Sequence, residues 1–358
     1  MAITLVLEGA ADDRCIVRLS PIAELSAALH ALNEIDHHPR SHEWADLVRR
    51  TVPGALLDQV RAWAPLWGSL RARFLMPLDD GPQRTLAKEI SDIETLGERH
   101  FVAMCAEAIV DRDRTVRYER LGDDRSAVQR FRDRARQLSA TRLTLAEKLL
   151  ADPGSLRADV VGFLRAFARY AFDEEWEAQR PLLMREARQR AREVERRGLG
   201  VLTSLSKTVH ECNRPRRVVF DKLYDGSARI ADQVCLIVPS VHVRPHVAIK
   251  HNAGLPIVVQ YPVGGTNEVT YDLVRTRMLV LSDPIRIRMC RWILREPHTT
   301  SDLARRMGMS QPQVSRHLRR LRDAGLVRTW REGRLVFYAL DPAPIDNLGS
   351  DLVDALRR

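Results

Sequence analysis

The stretch from Ser310 to Ala324 carries polar and basic side chains at positions that share one face of a helix. At about 100° per residue, Val314, Leu318 and Leu321 fall together on a narrow apolar stripe. The opposite arc and its shoulders hold amide, hydroxyl, imidazole and guanidinium groups, at Gln313, Ser315, Arg316, His317, Arg319 and Arg320. Amide and guanidinium groups pair with base edges, and hydroxyl and guanidinium groups bind phosphate. This face therefore predicts a helix that enters a DNA groove.

Helix signals upstream of this stretch predict a helix-turn-helix. Asp283, followed by a proline, is a typical helix start. Thr299, with Asp302 three residues later, has the spacing of a capping box, and Gly308 can adopt the left-handed conformation that closes that helix. Because Ser310 can cap the next helix only two residues after the glycine, the two helices must cross steeply.

A hairpin after the basic helix would complete a winged helix-turn-helix over 271–342. The predicted hairpin turns at Glu332-Gly333 between Arg331 and Arg334, where a wing can touch phosphate or the minor groove. The residues predicted to bind DNA are polar or basic groups of the helix starts, the basic helix and the hairpin tip: Thr300, Ser301, Ser310, Gln311, Gln313, Ser315, Arg316, His317, Arg319, Arg320, Arg331 and Arg334.

The positive charge is concentrated in the same part of the chain. The 358 residues have a formal net charge of +10. Residues 271–358 contain 17 arginines against 10 acidic residues, a net +7, and the first 270 residues carry only +3. A small basic domain joined to a nearly neutral larger part favours binding of a polyanion by the small domain.

This C-terminal part resembles the ArsR/SmtB family of bacterial winged-helix regulators. The resemblance covers about residues 275–342 and includes LSDPIRIR from Leu281 and SQPQVSRHLRRLRDAGLV from Ser310. It implies a homodimer that binds a palindromic operator in double-stranded DNA, most often as a repressor relieved by a signal. Family members commonly bind metal through cysteines on the first helix of the helix-turn-helix, or through histidines on a last helix. This chain lacks both, so no metal site is predicted.

The longer N-terminal part predicts an α+β fold that is mainly helical. Residues 1–198 are expected to form a mostly helical domain with a short N-terminal pair of strands and an amphipathic helix after Pro21. Residues 199–268 are expected to be strand-rich, with three or four strands at the β-branched stretches Arg217–Leu223, Gln233–Pro239, His246–Lys250 and Pro256–Val263. A linker is predicted at 264–267 and a final helix at 343–358.

The N-terminal part also resembles a subgroup of actinobacterial ArsR-type proteins that carry a large N-terminal domain of unassigned function. RLSPIAEL from Arg18 and VPSVHVRP from Val238 carry this resemblance. In that subgroup we expect aromatic residues where this chain has His242 and Arg244. These two departures could alter what the domain packs or binds.

Histidines and tryptophans in the N-terminal part could form further sites. The candidate histidines lie in two groups, His242, His246 and His251, and His37, His38 and His42. A metal or ligand site is conceivable at the first group, but no cysteine is nearby and ordinary packing or surface histidines are favoured. Trp44, Trp63 and Trp67 could line an apolar pocket, although tryptophans of a helical domain more often belong to the core.

No motif in the first 270 residues indicates catalysis, because nucleophile–base pairs, paired carboxylates and phosphate-binding loops are all missing. We therefore predict no enzyme activity and no cofactor. Five scattered cysteines and the lack of a long apolar run favour a cytoplasmic protein with reduced thiols.

Together these patterns predict a DNA-binding transcription regulator whose N-terminal region senses a small molecule or a protein. The alternative is a winged-helix protein whose N-terminal domain is an enzyme or a protein-interaction module.

Overall fold

A computed structural model describes residues 2–38, 41–113, 116, 118–206, 209–213, 216–222, 224–263, 271–333, 335–346 and 348–356. The chain divides into two compact units, Met1–Thr266 and Asn267–Arg358, called the N-terminal and C-terminal domains below. The linker predicted at 264–267 lies outside the described residues. The predicted α+β, mainly helical fold class is confirmed.

Helices make up most of the N-terminal domain. Their bounds are α1 (Pro21–Asn33), α2 (His42–Thr51), α3 (Gly54–Ala62), α4 (Leu86–Glu94), α5 (Glu98–Ile109), α6 (Arg125–Leu138), α7 (Ala140–Ala151), α8 (Pro153–Phe167) and α9 (Asp173–Arg197). Several begin at a side-chain cap, as where Ser20, Thr85 and Asp152 accept a hydrogen bond from a backbone N–H of the first turn. A π-helical turn, Ala168–Phe172, joins α8 to α9.

Two four-stranded sheets complete the N-terminal domain. The strands are β1 (Ala2–Val6), β2 (Cys15–Val17), β3 (Val209–Asn213), β4 (Arg216–Asp221), β5 (Gly226–Arg229), β6 (Cys235–Ser240), β7 (Ala248–Lys250) and β8 (Ile257–Pro262). The first sheet has the order β3-β4-β1-β5, and the second has the order β2-β6-β8-β7. In the second sheet β2, β6 and β8 are parallel and β7 is antiparallel to β8. Sequence patterns predicted strands in the regions of β4, β6, β7 and β8 but missed β3 and β5.

Two expectations for the start of the chain are wrong. Strands β1 and β2 do not pair with each other, because β1 lies between β4 and β5 whereas β2 pairs with β6. Helix α1 is not amphipathic, because 12 of its 13 residues are buried. Its two sides are covered by different parts of the domain, so a water-facing side does not exist.

The second sheet lies between the first sheet and α1. Side chains such as Ile3 of β1 and Ile257 and Val259 of β8 share one apolar core between the two sheets. On the other side of the second sheet, Val258 packs in a cluster with Ala23 of α1. Trp44, Trp63 and Trp67 are buried in the core formed by the helices, so they are core residues, as favoured from the sequence.

The C-terminal domain is a winged helix-turn-helix. Its elements are α10 (Tyr271–Leu281), α11 (Pro284–Arg295), β9 (His298–Thr299), α12 (Thr300–Met307), α13 (Gln311–Asp323), β10 (Val327–Glu332), β11 (Leu335–Leu340), α14 (Ala343–Asp346) and α15 (Leu348–Leu356). The hairpin of β10 and β11 forms the wing, and β9 extends it to a three-stranded sheet. The described residues of the final helix predicted at 343–358 are helical in α14 and α15.

Candidate nucleic-acid interface

Helix α13 is anchored by one apolar stripe. Val314, Leu318 and Leu321 are 0%, 1% and 0% exposed and pack in one core with Leu303 of α12 and Met289 of α11. On the other face, the side chains of Gln313, Arg316, Arg319 and Arg320 are exposed. Ser315 and His317, at the edges of that face, are half-buried. The helix therefore presents the predicted polar face outward.

The arginines of that face have their charges available. Among the described residues, Arg316, Arg319 and Arg320 have no acidic partner, whereas the neighbouring Arg322 lies 3.6 Å from a carboxylate oxygen of Asp323. Guanidinium groups that are exposed and unpaired can make paired hydrogen bonds to guanine or bind phosphate without first breaking an ion pair. The exposed face of α13 thus carries groups suited to both base-specific and phosphate contacts.

Local caps determine where the two crossing helices start. At α12, Thr299 and Asp302 form the predicted capping box, with the Asp302 backbone N–H donating to Thr299 Oγ1 at 3.2 Å. Gly308 ends α12 in the left-handed conformation, with φ 65°. The backbone N–H of Ser310 then donates to Gln313 Oε1 at 3.0 Å, which fixes the start of α13. These contacts hold the turn that aims α13.

The remaining predicted DNA contacts lie at the helix starts and on the wing. Thr300 is half-buried at the start of α12, and Ser301 beside it is exposed. Ser310 and Gln311 are exposed at the start of α13, where backbone N–H groups favour anions. Arg331 is exposed on β10, opposite Val336 of β11. Arg334 lies outside the described residues.

His317 differs from the arginines around it because it is directed partly toward α11. Burial lowers its pKa, the carboxylate of Asp283 opposes this shift, and Arg286, Arg320 and Arg316 reinforce it. The imidazole is therefore neutral near pH 7 and can act as a hydrogen-bond donor or acceptor but adds no charge to the face.

The three histidines near residue 246 have separate surroundings. The His242 imidazole is buried, with Nε2 3.2 Å from Glu175 Oε1 and Nδ1 3.2 Å from Ser41 Oγ. His251 Nε2 lies 3.2 Å from Arg112, and the ring of His246 lies 5.7 Å from that of His38. Within the part of the chain that the structure describes, no group of three or more His, Cys, Asp or Glu residues could hold a metal ion.

Sequence patterns missed a set of buried polar side chains between α1 and the second sheet. This set consists of Glu24, His30, Arg71, Lys250 and Gln260. Glu24 and His30 are the only ionisable side chains of α1, which otherwise consists of alanine, leucine and other small or apolar residues. A helix this apolar is expected to be buried all round, and its two ionisable residues then become candidates for a polar site.

Two family models match the chain. Residues 1–267 match a family described as a family of unknown function, DUF5937, and residues 281–329 match a helix-turn-helix domain. A probable mercury resistance operon repressor of Streptomyces lividans is 39% identical over 67 residues, covering 18% of this chain and 54% of that protein. An arsenic resistance transcriptional regulator of Pseudomonas putida is 38% identical over 79 residues, covering 21% and 62%.

An ArsR-like transcriptional regulator from Rhodococcus sp. is similar in structure, with 26% identity and a TM-score of 0.22, covering 23% of this chain and 78% of that one. The chain spans about half to three fifths of the length of the curated relatives it matches. Among the residues that the structure describes, no helix has the length and apolar character needed to cross a membrane.

The fold and the comparisons define a two-part protein whose C-terminal domain is a winged helix-turn-helix similar to those of ArsR/SmtB-type regulators. The chain as a whole belongs to the family of unknown function DUF5937, whose model covers its entire N-terminal domain.

Proposed function

We propose that this protein is a DNA-binding transcription regulator, a repressor, that reads duplex DNA with the exposed face of α13. The observation that carries the proposal is the outward arc of Arg316, Arg319 and Arg320, which are exposed and unpaired among the described residues while three aliphatic side chains anchor the helix from behind. An α-helix fits the major groove of B-DNA, and Arg331 on the wing can bind phosphate beside it.

The regulator acts as a homodimer on a palindromic operator. Helices α10 and α11 carry large apolar side chains that are exposed, namely Tyr271, Met278, Leu279, Ile285, Ile287 and Leu294. Large apolar side chains that are exposed on two helices of one small domain favour contact with another protein surface. A second copy of the chain, related by two-fold symmetry, would place two α13 helices on half-sites about one helical turn apart.

The N-terminal domain senses a ligand or a protein partner and changes the affinity of the dimer for DNA. Support comes from its size and from the buried polar side chains between α1 and the second sheet, which a purely structural domain would have little reason to keep. A ligand shifts the balance between DNA-competent and incompetent states only if it binds the two with different affinities.

Fluorescence anisotropy with the full-length protein tests the proposal. The labelled duplex comes from the promoter region of the protein's own gene, and an unrelated duplex of equal length and base composition serves as the control. We expect specific binding that is at least about 1,000-fold tighter than binding to the control. Equal affinity for the two duplexes at the same salt concentration would refute sequence-specific regulation.

A further inference from the structure

Two basic side chains meet on the side of the second sheet that faces α1. Lys250 of β7 pairs in register with Val258 of β8, so the two side chains lie on the same face, and Gln260 follows on that face two residues later. Arg71 Nη1 donates to Gln260 Oε1 at 2.6 Å, and Gln260 Nε2 donates to the carbonyl oxygen of Ala23 in α1 at 3.0 Å. Arg71 and Lys250 are therefore neighbours on this face of the sheet, close enough for the charge of one to act on the other.

Both cations are buried and poorly satisfied. Arg71 is 5% exposed and Lys250 is 8% exposed. Among the described residues the Lys250 ammonium has no hydrogen-bond or ion-pair partner, and Arg71 has only its bond to Gln260. An ammonium or guanidinium held away from water without a counter-ion is costly, so this arrangement calls for an explanation.

The surrounding residues supply too little negative charge. Glu24 faces Arg71 but does not pair with it: its Oε1 atom accepts the backbone N–H groups of Val241 and His242, and its Oε2 atom is buried without a hydrogen-bond partner in the described part of the chain. Glu107 pairs with Arg112 at 2.9 Å. A third buried cation, Arg73, donates to two backbone carbonyl oxygens and to no carboxylate among the described residues.

A water-sized group can reach the two cations, whereas two polar atoms near them are closed off. Arg73 Nε and His30 Nδ1 lie nearby, completely closed off and without a partner. The unbonded N–H groups of Arg71 and the ammonium of Lys250 are not closed off in this way and keep a small accessible surface. A closed apolar cluster adjoins the two cations, formed by Ala23, Met76, Leu236, Val238 and Val258.

We propose that Arg71 and Lys250 bind the carboxylate of a small organic acid, and that this is the effector site of the N-terminal domain. Arg71 offers the planar fork that matches a carboxylate, and Lys250 adds a second charge. The site stands on the contacts above. Only its effect on DNA binding rests on the proposed function.

Isothermal titration and thermal unfolding of the full-length protein test the site at constant ionic strength. The probes are benzoate, acetate and inorganic phosphate, with benzamide as the neutral match for benzoate. We expect benzoate to bind and to raise the Tm, and benzamide to do neither. Failure of both carboxylates to exceed the effect of sodium chloride overturns the proposal, and binding of phosphate without either carboxylate overturns the assignment to organic acids.

Variants assign the binding to the two cations. Lys250→Met and Arg71→Lys are each expected to weaken benzoate binding about tenfold or more, since each removes a charged hydrogen-bond donor or its fork geometry. Lys88→Met removes an exposed lysine of α4 and is expected to bind benzoate as the natural protein does. Circular dichroism verifies that both site variants fold. If both folded variants bind benzoate as the natural protein does, the site is refuted.

DNA binding is measured separately in the same proteins. If benzoate binds through Arg71 and Lys250 but leaves the affinity for DNA unchanged, the anion site is supported and the sensing part of the proposed function is refuted. If DNA binding is specific and no carboxylate binds, the proposed regulator function is supported and the proposed carboxylate site is refuted.

Discussion

The side-chain oxygen of Gln313 accepts a hydrogen bond from the backbone N–H of Ser310 at 3.0 Å and from its hydroxyl at 2.9 Å. Gln313 is therefore engaged in starting α13. A glutamine that reads adenine uses both its oxygen and its nitrogen, so in this position base recognition competes with capping. Among the described residues, Arg316, Arg319 and Arg320 of α13 have no such competing contact.

Arg316→Ala is expected to weaken specific DNA binding about tenfold or more, because a bidentate contact to a base contributes about 1–3 kcal/mol of discrimination. Arg322→Ala on the same helix is the matched control, since Arg322 lies beside the apolar stripe and next to Asp323. Anisotropy titrations with operator and unrelated duplex measure both variants. The assignment of the reading face is wrong if the two substitutions have the same effect.

Arg331→Ala on the wing is expected to weaken binding to all duplexes by a similar factor and to reduce the salt dependence by about one phosphate contact. The guanidinium is exposed on β10 and has no acidic partner among the described residues. The measurement is the slope of the logarithm of the affinity against the logarithm of the salt concentration. An unchanged slope would show that the wing does not touch the DNA backbone.

Leu279→Glu is expected to shift the protein from dimer to monomer and to weaken operator binding with it. Leu279 is 55% exposed on α10, beside other exposed apolar side chains, and a carboxylate there would have to be buried in the dimer. Leu47→Glu on α2 is the control, because Leu47 is similarly exposed, at 51%, in the N-terminal domain. Analytical ultracentrifugation measures the mass. Dimers that persist in the Leu279 variant would place the interface elsewhere.

Thr299→Ala is expected to destabilise the C-terminal domain by about 1 kcal/mol, since it removes the capping hydroxyl of α12. Thr299→Ser keeps that hydroxyl and should restore most of the loss. The hydrogen bond from Thr299 also lowers the pKa of Asp302, so this contribution is present above the ordinary carboxylate pKa and is lost as the pH falls through the lowered one. Calorimetry at several pH values measures the effect, and equal losses in both variants would exclude capping as its cause.

Lys250→Met is expected to stabilise the ligand-free protein by on the order of 3 kcal/mol below about pH 7. Burial lowers the pKa of Lys250 from 10.5 to about 7. Between these values the unfolded chain holds the proton more tightly, so the natural protein gains stability as the pH rises and the advantage of the variant disappears. The charged groups that face Lys250 are Glu107, which opposes the shift, and Arg112, Arg71 and Arg73, which increase it.

Denaturant unfolding measures the difference in free energy of unfolding between Lys250→Met and the natural protein, with Lys88→Met as control. The measurements run from pH 6 to pH 10, because the two pKa values of Lys250 are about 7 and 10.5. A difference between Lys250→Met and the natural protein that does not change with pH would show that Lys250 is not held as an unpaired cation.

The C-terminal domain could be predicted from the sequence almost element by element, because its signals are local. Thr299 and Asp302 define one helix start, and Gly308 and Ser310 place the turn within a few residues of each other. The apolar spacing of Val314, Leu318 and Leu321 then gives the orientation of α13.

The N-terminal domain could be predicted only in outline, because its pairings join distant parts of the chain. Ile3 pairs with Phe220 on one side and with Gly226 on the other, and no local pattern encodes either partner. The meeting of Arg71 with Lys250 depends on the same long-range arrangement, since Arg71 lies in a loop between helices and Lys250 on a short strand. The burial of α1 on both sides also results from tertiary packing, so local sequence patterns did not show that its polar residues are buried.

The position of β1 has a consequence for synthesis of the protein. The first strand emerges from the ribosome more than 200 residues before the strands that flank it, so its apolar side chains have no partner for most of translation. Contacts so distant along the chain slow folding. The newly made β1 segment is thus a place where chaperones would bind, and newly made protein would be expected to aggregate if release outpaced the closing of the first sheet.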